Sequence, residues 1–531
     1  MQLGRIAEIT KVFVEEGLGF LIESREAAKA EAAADASELA ETETAIAKRE
    51  TSDAELGRRL RRTLERLGPT FVKFGQMLAT RVDLFSEELI DELAKLHSEA
   101  QPFPTPEARA IMEAELGRPL DEVFEELSEA PVAAASIAQV YKARLRERGE
   151  QDHGWVALKV QRPKLEDSLL RDLDVLVDMS ALIDRIVPMY RRSMVHKVAQ
   201  EYARRARGEL DFLGEARAID RFADVLASLP EFRVPAVHHD LCTSKLLVME
   251  WLDGTKLGDV PGRDALADLG FDPTSFSRSL LRLQVSMSYE HGLVHGDTHP
   301  GNIILLPTGY IGLIDFGLHG HVPRALRDKM LELVFYQAGG RYDDAVEAFV
   351  GVFHPDPSKD VEAFKRELKA VLEEDAGRSL KDARITEGLV KGMRVGARYN
   401  LEAPSDLFMV LRNLAIVEGI VLRYCPEIDP NAELETIVAD IMRRKVFGPS
   451  MRQEMNQLLP QLLLNISQRP QLAERMLQLE RSFVASKSLG EFLRHEKVLA
   501  PPERPPSAAT VVAVGLLGLL VGVVLTYLLM Q

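Results

Sequence analysis

Apolar residues recur at helical spacing over most of this chain, whereas alternation with polar residues is confined to a few short stretches. The helical spacing predicts helices at 1–23, 86–99, 105–116, 171–190, 196–224 and 275–291. After residue 317 it predicts helices alone, at 323–338, 341–352, 359–374, 387–397, 404–424 and 431–446, with two more before 496. Alternation and short apolar runs predict strands at 140–145, 155–160, 232–238 and 244–250. This pattern indicates an α+β protein whose second part is helical.

A tight β-hairpin is predicted just past the middle of the chain. Two apolar runs, Ile303–Leu306 and Tyr310–Ile314, flank a turn at Pro307-Thr308-Gly309. The segment before the hairpin is His295-Gly296-Asp297-Thr298-His299-Pro300-Gly301-Asn302, and the segment after it is Asp315-Phe316-Gly317. A loop with Asp and Asn, a hairpin, and Asp-Phe-Gly at its exit follow one another in this order in kinase catalytic sites.

The spacing within these segments predicts a site for ATP and Mg²⁺. Asp297 and Asn302 stand in the register of the kinase catalytic loop, with Gly296 where that loop has Arg. In that chemistry one carboxylate faces the γ-phosphate, while the Asn and the Asp of Asp-Phe-Gly hold magnesium against the phosphates. We therefore predict that Asp297 is catalytic and that Asn302 and Asp315 are metal ligands.

The strand Trp155–Val160 resembles the kinase strand whose lysine reaches the phosphates, so Lys159 is predicted to be catalytic and nucleotide-binding. The stretch before it should cover the phosphates, and its predicted nucleotide-binding residues are Val132, Ala133, Ala134, Ala135, Ser136, Ile137, Ala138, Gln139 and Val140. Alanine stands where kinases have glycine and resists positive φ, so this loop should be stiffer. A kinase lysine pairs with a helical glutamate. Glu215 is favoured over Glu209 as that partner, which implies two extra helices before it.

Composition limits the classes of function. The 531 residues are 46% hydrophobic and 28% charged, which is ordinary for a folded protein long enough for two or more domains. A net charge of −16 argues against nucleic acid as the main partner. Only Cys242 and Cys425 are present, which excludes a disulfide framework and fits a reducing compartment.

The C-terminal segment 508–530 carries no charge and is almost wholly apolar, and its length suits a membrane-spanning helix. A Pro-rich linker at 499–507 precedes it. Because the long body lies on the side of Arg504, the segment predicts a single-pass C-terminal anchor with the catalytic body in the cytoplasm and membrane lipid as a partner. Gly518 and Gly522 form a small-xxx-small pair of the kind that packs spans together, so a homodimer is a hypothesis.

The N-terminal part of the chain lies outside the kinase pattern. Residues 26–56 are rich in Ala and Glu and lack large apolar side chains, so an exposed helix or a flexible segment is expected. Thr70 is predicted to cap a helix that carries Lys73 and Gln76 on one face. A basic helical face is made of Arg58, Arg59, Arg61, Arg62 and Arg66. We interpret it either as a solvated face or as a contact with an anionic membrane surface.

These patterns together predict a protein-kinase-like two-lobe fold of the α+β class. Its predicted segments are an N-terminal helix with the Ala/Glu-rich stretch at 1–56, a helical extension at 57–128, a small lobe at 129–254, a helical large lobe at 255–498, the linker at 499–507 and the span at 508–530. The residues 249–254 are the predicted hinge between the lobes. Glu250 is the predicted contact with the adenine edge of the nucleotide.

As a set, the motifs resemble the UbiB family of atypical protein-kinase-like ATPases, which is linked to ubiquinone (coenzyme Q) biosynthesis. The resemblance covers residues from about 60 to 320 and is carried by Lys73-Phe74-Gly75-Gln76, the Ala-rich loop 133–138, Val156-Ala157-Leu158-Lys159, Glu209-Leu210-Asp211 with Glu215, His295 to Asn302, and Asp315-Phe316-Gly317. It implies that Lys73 and Gln76 lie on an extension folded over the nucleotide site, where ordinary kinases bind protein substrates. It also implies that Glu209 and Asp211 meet this extension from the small lobe.

The same resemblance implies ATP hydrolysis coupled to the handling of lipid precursors, rather than ordinary protein phosphorylation. The partners it implies are other ubiquinone-biosynthesis proteins and quinone precursors, at the bacterial inner (cytoplasmic) membrane. Bacterial members of the family often end in a pair of membrane segments, whereas a single long segment is present here.

Three other hypotheses fit parts of the pattern. A small-molecule phosphotransferase of the aminoglycoside or choline kinase type resembles the chain at 295–302, but the Lys73 to Gln76 element, the Ala-rich loop and the C-terminal span favour the UbiB-type function. A catalytically silent nucleotide-binding scaffold is disfavoured because all the catalytic side chains are present. A zinc site at His295 and His299 needs a helix, which the neighbouring glycines and Pro300 make implausible.

Overall fold

The structure is a computed structural model that describes residues 2–18, 52–81, 85–96, 101–146, 154–163, 165–186, 195–338, 340–353, 360–377, 385–399, 401 and 403–447. The predicted span at 508–530, the linker at 499–507 and residues 26–51 of the Ala/Glu-rich stretch lie outside this part of the chain. Among the helices of the described residues, none is both long and apolar enough to cross a membrane.

An antiparallel sheet forms the small lobe. Its strands are β1 (Phe124–Leu127), β2 (Ala133–Ala134), β3 (Ala138–Leu145), β4 (Trp155–Gln161) and β6 (Leu246–Glu250), in the order β1-β3-β4-β6, with β2 pairing β3. Alternation along the strands decides what each face buries. Tyr141 and Leu158 pack under helix α5 (Thr105–Leu116), whereas Ala157 and Lys159 face the cleft between the lobes.

Among the described residues, three helices lie between β4 and the return of the chain to this sheet: α7 (Leu165–Ile186), α8 (Val195–Gly208) and α9 (Phe212–Leu226). The two extra helices predicted before Glu215 are therefore present as α7 and α8. The single helix predicted over 196–224 is wrong, because α8 ends at Gly208, a poor helix former, and Asp211 takes an extended φ of −95° and ψ of 89° before α9. This break turns α9 toward β6, against which it packs.

Two small sheets frame the cleft in the large lobe. One has the order β5 (Phe232–Arg233), β10 (Ile311–Leu313), β9 (Ile303–Leu305) and β7 (Thr255–Lys256), and the other pairs β8 (Leu293–His295) with β11 (His319–His321). The predicted hairpin is β9–β10, with Leu313 opposite Ile303. The strand predicted at 232–238 divides in two: β5 joins this hairpin, whereas Val237 forms an isolated bridge with Met249 of β6 in the small-lobe sheet. The expectation of helices alone after 317 is wrong at β11, because this strand pairs the exit of Asp-Phe-Gly with β8.

Helices build the rest of the large lobe around two apolar clusters. They are α10 (Arg263–Asp268), α11 (Pro273–Val285) with a π-helical continuation (Ser286–His291), α12 (Arg324–Ala338), α13 (Tyr342–Val350), α14 (Val361–Gly377), α15 (Ile385–Arg398), α16 (Ser405–Tyr424) and α17 (Pro430–Phe447). The helices predicted from 323 to 446 are confirmed within a few residues of their predicted ends. The two helices predicted between 446 and 496 lie outside the described residues.

The N-terminal extension forms its own core with α7 and α8. Its helices are α1 (Gln2–Glu15), α2 (Asp53–Leu67), α3 (Pro69–Leu78), α4 (Glu87–Leu93), then α5 and the short α6 (Leu120–Val123). The predicted Thr70 cap is wrong, since α3 begins at Pro69 behind Gly68, whose φ of 104° favours glycine. Gly75 allows close packing, because a Cβ there would lie 2.3 Å from a methyl of Leu96.

The basic face predicted on α2 is largely neutralised by neighbouring carboxylates. Arg58 and Arg59 both donate to Glu55. About two turns further along the helix, Arg66 donates to Glu15 and Glu16 at the end of α1. These pairs favour the interpretation of α2 as a solvated face that also fixes α1.

Candidate active site

A buried ion cluster joins the two lobes behind the cleft. Lys159 Nζ lies 2.7 Å from Glu215 Oε1 and 2.9 Å from Asp315 Oδ1. The side chains of Lys159 and Glu215 are only 7% and 3% exposed, whereas that of Asp315 is 45% exposed. A strand of the small lobe, helix α9 and the Asp-Phe-Gly segment of the large lobe thus meet at one ammonium group.

Lys159 and Asp315 hold each other in the ionised state. Burial opposes the charge of Lys159, but the carboxylates of Asp315 and Glu215 outweigh it and raise the pKa of this lysine above its ordinary value. The ammonium group of Lys159 holds the pKa of Asp315 well below its usual range. Burial raises the pKa of Glu215, and the lysine opposes that shift. Lys159 therefore stays positive in a place where a nucleotide phosphate would need a cation.

The Asp-Phe-Gly segment is held in a strained and well-packed conformation. Asp315 has a φ of 59°, the one positive φ at a non-glycine position among the described residues. Phe316 is fully buried, and its ring centroid lies 4.9 Å from that of Phe222 on α9 and 4.8 Å from that of His295. This stack connects α9 to the catalytic loop and fixes the direction in which Asp315 points.

The catalytic loop and the hairpin bring Asn302 and Asp315 to the same end of the β9–β10 ladder. Ile314 N donates to Asn302 O at 3.0 Å, one step beyond the pairing of Leu313 with Ile303. Asn302 Nδ2 donates to Asp297 O at 3.0 Å, which turns the amide oxygen of Asn302 away from that bond.

The oxygen atoms of Asn302 and Asp315 fit Mg²⁺. Asp315 Oδ1 accepts from Lys159, whereas Asp315 Oδ2 accepts no hydrogen bond from the part of the chain that the structure describes. A free carboxylate oxygen beside an amide oxygen is a donor set for a hard cation that also keeps contact with phosphates. Zinc is less suited, because His295 ends β8 and His299 lies in a loop, so the helix that a zinc pair needs is absent here.

Asp297 has a partner at each carboxylate oxygen. Arg412 Nη2 donates to Asp297 Oδ1 at 3.2 Å, and His299 Nε2 lies 3.7 Å from Asp297 Oδ2. His299 Nδ1 accepts from Gly301 N at 2.9 Å, so the neutral imidazole carries its proton on Nε2, the atom nearest Asp297.

Sequence analysis missed Arg412, which lies 115 residues beyond Asp297 on α16. No kinase motif includes this position. The available signal was the pair Arg412-Asn413, which interrupts an otherwise apolar run from 407 to 417. Two adjacent polar residues in such a run indicate buried partners.

Asn413 ties the catalytic loop to the core of the large lobe. Its amide oxygen accepts from Thr298 Oγ1, its amide nitrogen donates to Gln284 Oε1, and Gln284 Nε2 donates to Ser288 Oγ at 3.1 Å. These four side chains are at most 3% exposed. Helix α16 thus holds Asp297 and Thr298 through the adjacent residues Arg412 and Asn413.

The predicted phosphate-covering loop is a narrow β-turn without glycine. Ala133 pairs with Val140, and Ala135 N donates to Ala138 O at 2.8 Å. No residue from 132 to 140 has a positive φ, so the turn uses backbone angles that alanine accepts. Exposure separates its members: Val132, Ala133, Ala134 and Ala135 are exposed, Ser136 and Val140 are half-buried, and Ile137, Ala138 and Gln139 are buried.

Two predicted nucleotide contacts have side chains that are engaged elsewhere. Gln139 Nε2 donates to Phe103 O at 3.1 Å, because strand alternation directs this residue to the α5 side of β3. Glu250 accepts from Arg233 Nη2 at 2.6 Å and from Ala236 N at 3.2 Å. These two side chains hold the loop and the hinge in place, which leaves the backbone as the part available to a nucleotide.

The extension contacts the small lobe through one of the two acidic residues expected to meet it. Lys73 Nζ lies 2.6 Å from Glu209 Oε2, in the break between α8 and α9. Asp211 instead accepts from Arg217 Nη2 at 3.0 Å, within its own helix. Gln76 Nε2 donates to Leu96 O at 2.9 Å, so its side chain braces the extension internally.

The extension also reaches the large lobe beside the catalytic loop. Arg81, at the end of α3, lies over the ring of Phe408 with 4.2 Å between the guanidinium carbon and the ring centroid. Phe408 is one helical turn before Arg412 on α16. A small cavity beside this contact is lined from both sides, by Met77, Thr80, Arg81, Glu201, Arg205, Gly296, Leu318, Phe408, Met409 and Arg412.

Comparison with known proteins identifies an atypical kinase-like domain in this chain. A model of the ABC1 atypical kinase-like domain matches residues 95–348. The protein Activity of bc1 complex kinase 1 of Arabidopsis thaliana chloroplasts is 30% identical over 83% of this chain and 63% of its own length. An uncharacterised protein of Synechocystis is 30% identical over 80% of this chain and 73% of its own length. A probable protein kinase UbiB of Cronobacter sakazakii is 29% identical over 80% of this chain and 78% of its own length.

The domain match covers some of the site residues and not others. The matched domain includes Lys159, Glu215, Asp297, Asn302 and Asp315, but neither the Lys73 helix nor Arg412. The chain spans less than two thirds of the Arabidopsis protein, at 63% of its length.

The ion cluster predicts a specific pattern of stability. Lys159→Met should lower the free energy of unfolding by about 3 to 5 kcal/mol, because it leaves Glu215 buried without a counter-charge. Adding Glu215→Gln should recover part of this loss, since the amide needs no counter-ion. Urea unfolding followed by circular dichroism measures both changes, with Lys11→Met, whose side chain is 75% exposed, as the control. Equal losses in the single and double variants would contradict the cluster.

Proposed function

Because this chain belongs to the UbiB family of ABC1 atypical kinase-like proteins, we propose that it is a membrane-anchored, Mg²⁺-dependent ATPase that supports ubiquinone biosynthesis. The observation that carries the proposal is the cluster of Lys159, Glu215 and Asp315, with Asn302 beside it. It supplies a fixed cation for phosphate and two oxygen ligands for magnesium. Asp297 is the carboxylate that orients the attacking group.

The proposed reaction is transfer of the γ-phosphoryl group to water. The oxygen of water bonds to the γ-phosphorus, the bond to the β-phosphate oxygen breaks, and ADP and phosphate leave. Asp297 accepts a hydrogen bond from the attacking water and receives its proton as the new bond forms. Lys159 stabilises the charge of the phosphates, and magnesium, when bound, would be held by Asn302 and Asp315.

The extension favours hydrolysis over phosphorylation of proteins. Lys73 joins it to the small lobe at Glu209, and Arg81 joins it to the large lobe at Phe408. It therefore stands beside the catalytic loop on the side where a protein substrate would enter an ordinary kinase. A peptide would have to displace a helix that is anchored at both lobes.

An apolar cavity in the extension supports a link to lipid precursors. It has a volume of about 110 Å³ and is lined by apolar side chains of α1, α2, α3, α4 and α7, such as Phe13, Phe71 and Phe74. Ser180 is the one polar side chain among its lining residues in the described structure. A cavity of about 150 Å³ suffices for benzene, so this space suits a small aromatic head group after modest side-chain movement.

We expect ATP hydrolysis by the purified protein to depend on Mg²⁺ and on Asp315. Asp315→Asn should abolish Mg²⁺-dependent ATP binding, measured by calorimetry, because it removes the charged ligand and the partner of Lys159. Asp343→Asn, in an exposed ion pair with Lys369, is the control and should leave binding intact. Unchanged ATP affinity in Asp315→Asn, or no hydrolysis by the wild type with anionic liposomes and phenolic precursors, would refute the proposed function.

Membrane anchoring is proposed from the apolar segment 508–530. Deleting 508–531 should move the protein from the membrane fraction to the soluble fraction in a bacterial host. The arginines of α2 are paired with carboxylates, so their contact with an anionic membrane surface should contribute little. Any such contact would be screened in 1 M salt, where the Debye length is about 3 Å. Retention of the truncated protein on membranes washed with that salt would contradict anchoring by the C-terminal segment.

A further inference from the structure

We propose that Arg412 is a catalytic residue that contacts the transferred phosphoryl group, as an arginine finger supplied by helix α16 of the same chain. The inference rests on the proposed function, since it assigns a further role at the same site. The observation behind it is the bond from Arg412 Nη2 to Asp297 Oδ1, at 3.2 Å.

The position of Arg412 follows from that of Asp297. A carboxylate that orients the attacking group lies within hydrogen-bond distance of it, and the attacking group lies next to the γ-phosphorus. A guanidinium bonded to the same carboxylate is therefore near the equatorial oxygens of the phosphoryl group. Its five N–H donors are arranged in a planar fork that matches phosphate geometry.

Most of the donors of Arg412 remain available. Within the described residues, its side chain makes one hydrogen bond, to Asp297, and is 39% exposed. It lines the small cavity beside Gly296, so the guanidinium has space next to the loop. Donors left over after a single bond are what a phosphoryl group would use.

The local charge balance requires such a cation. Lys159 is shared by two carboxylates, Glu215 and Asp315, and Asp297 adds a third. The loop itself has Gly296 where kinases have Arg, so it brings no arginine of its own. His299 Nδ1 accepts from Gly301 N, and its Nε2 lies 3.7 Å from Asp297 Oδ2, beyond hydrogen-bond distance. Arg412 is thus the guanidinium that the geometry brings to the carboxylate facing the γ-phosphate.

The contacts made by the neighbours of Arg412 hold helix α16 in place, and they do not involve the guanidinium group of Arg412. Asn413 is bound in the buried network with Thr298 and Gln284, and Phe408 packs under Arg81 of the extension. Helix α16 is therefore held both by the catalytic loop and by the extension. A rigid helix with a free side-chain end is the arrangement that positions a catalytic group without immobilising it.

The closest test uses ADP, Mg²⁺ and aluminium fluoride, which together imitate the transferred phosphoryl group. Wild-type protein should bind ADP more tightly when aluminium fluoride is present, measured by calorimetry. Arg412→Gln should keep its ADP affinity within about twofold and lose the gain from aluminium fluoride. Its ATP hydrolysis should fall about 10²- to 10³-fold, the usual effect of removing one donor to a transition-state oxyanion.

Two further variants separate catalysis from structure. Arg443→Gln, in an exposed ion pair with Asp440 on α17, is the matched control and should behave as the wild type. Arg412→Ala should regain part of its hydrolysis when guanidinium ion is added at millimolar concentration, which a merely structural arginine would not allow.

Each outcome has one meaning. Undiminished or faster hydrolysis in Arg412→Gln, or an unchanged gain from aluminium fluoride in that variant, overturns the inference and would mark Arg412 as a restraint on Asp297. A wild type that gains nothing from aluminium fluoride overturns it as well. A wild type that hydrolyses no ATP, but whose aluminium fluoride complex depends on Arg412, refutes the proposed turnover and leaves this inference standing.

Discussion

The contact of Lys159 with Glu215 and Asp315 is the interaction on which the rest of the structure depends. Lys159 and Glu215 are almost fully buried, whereas the side chain of Asp315 is 45% exposed, so separating Lys159 from Glu215 would leave a buried charge unpaired. Helix α9 is held to the sheet by it, and the Asp-Phe-Gly segment is held to α9 by the ring of Phe316 on Phe222. The site is therefore held together by groups of the chain itself, with Lys159 charged and Asp315 Oδ2 accepting no hydrogen bond from the described residues.

The N-terminal extension adds a second constraint, which acts on access to the active site rather than on its chemistry. It is fixed to the small lobe by Lys73 and Glu209, and to the large lobe by Arg81 and Phe408. Helix α16 continues this constraint to the catalytic loop through Asn413. The proposed preference for water or a small acceptor over a peptide rests on this constraint.

The parts of the site that follow local order were predictable from sequence. Spacing alone identified the β9–β10 hairpin and the segments at its two ends, because a short antiparallel ladder brings neighbouring residues together. Glu215, the favoured partner of Lys159, does pair with it, although the break at 209–211 that separates it from Glu209 was not predicted. Long-range choices were not predictable in this way. The side chains of Gln139 and Glu250 turned toward Phe103 and Arg233, and Arg412 reached Asp297 from a helix with no motif of its own.

A structure of the protein with Mg²⁺ and a non-hydrolysable ATP analogue tests the account most directly. The account predicts magnesium bound between Asn302 and Asp315, and a phosphate oxygen on Lys159. It also predicts that the bond from Lys159 to Glu215 keeps its present length of 2.7 Å, because the site is already assembled. Magnesium held by other residues, or an outward movement of α9 that breaks this bond when the nucleotide binds, would contradict it.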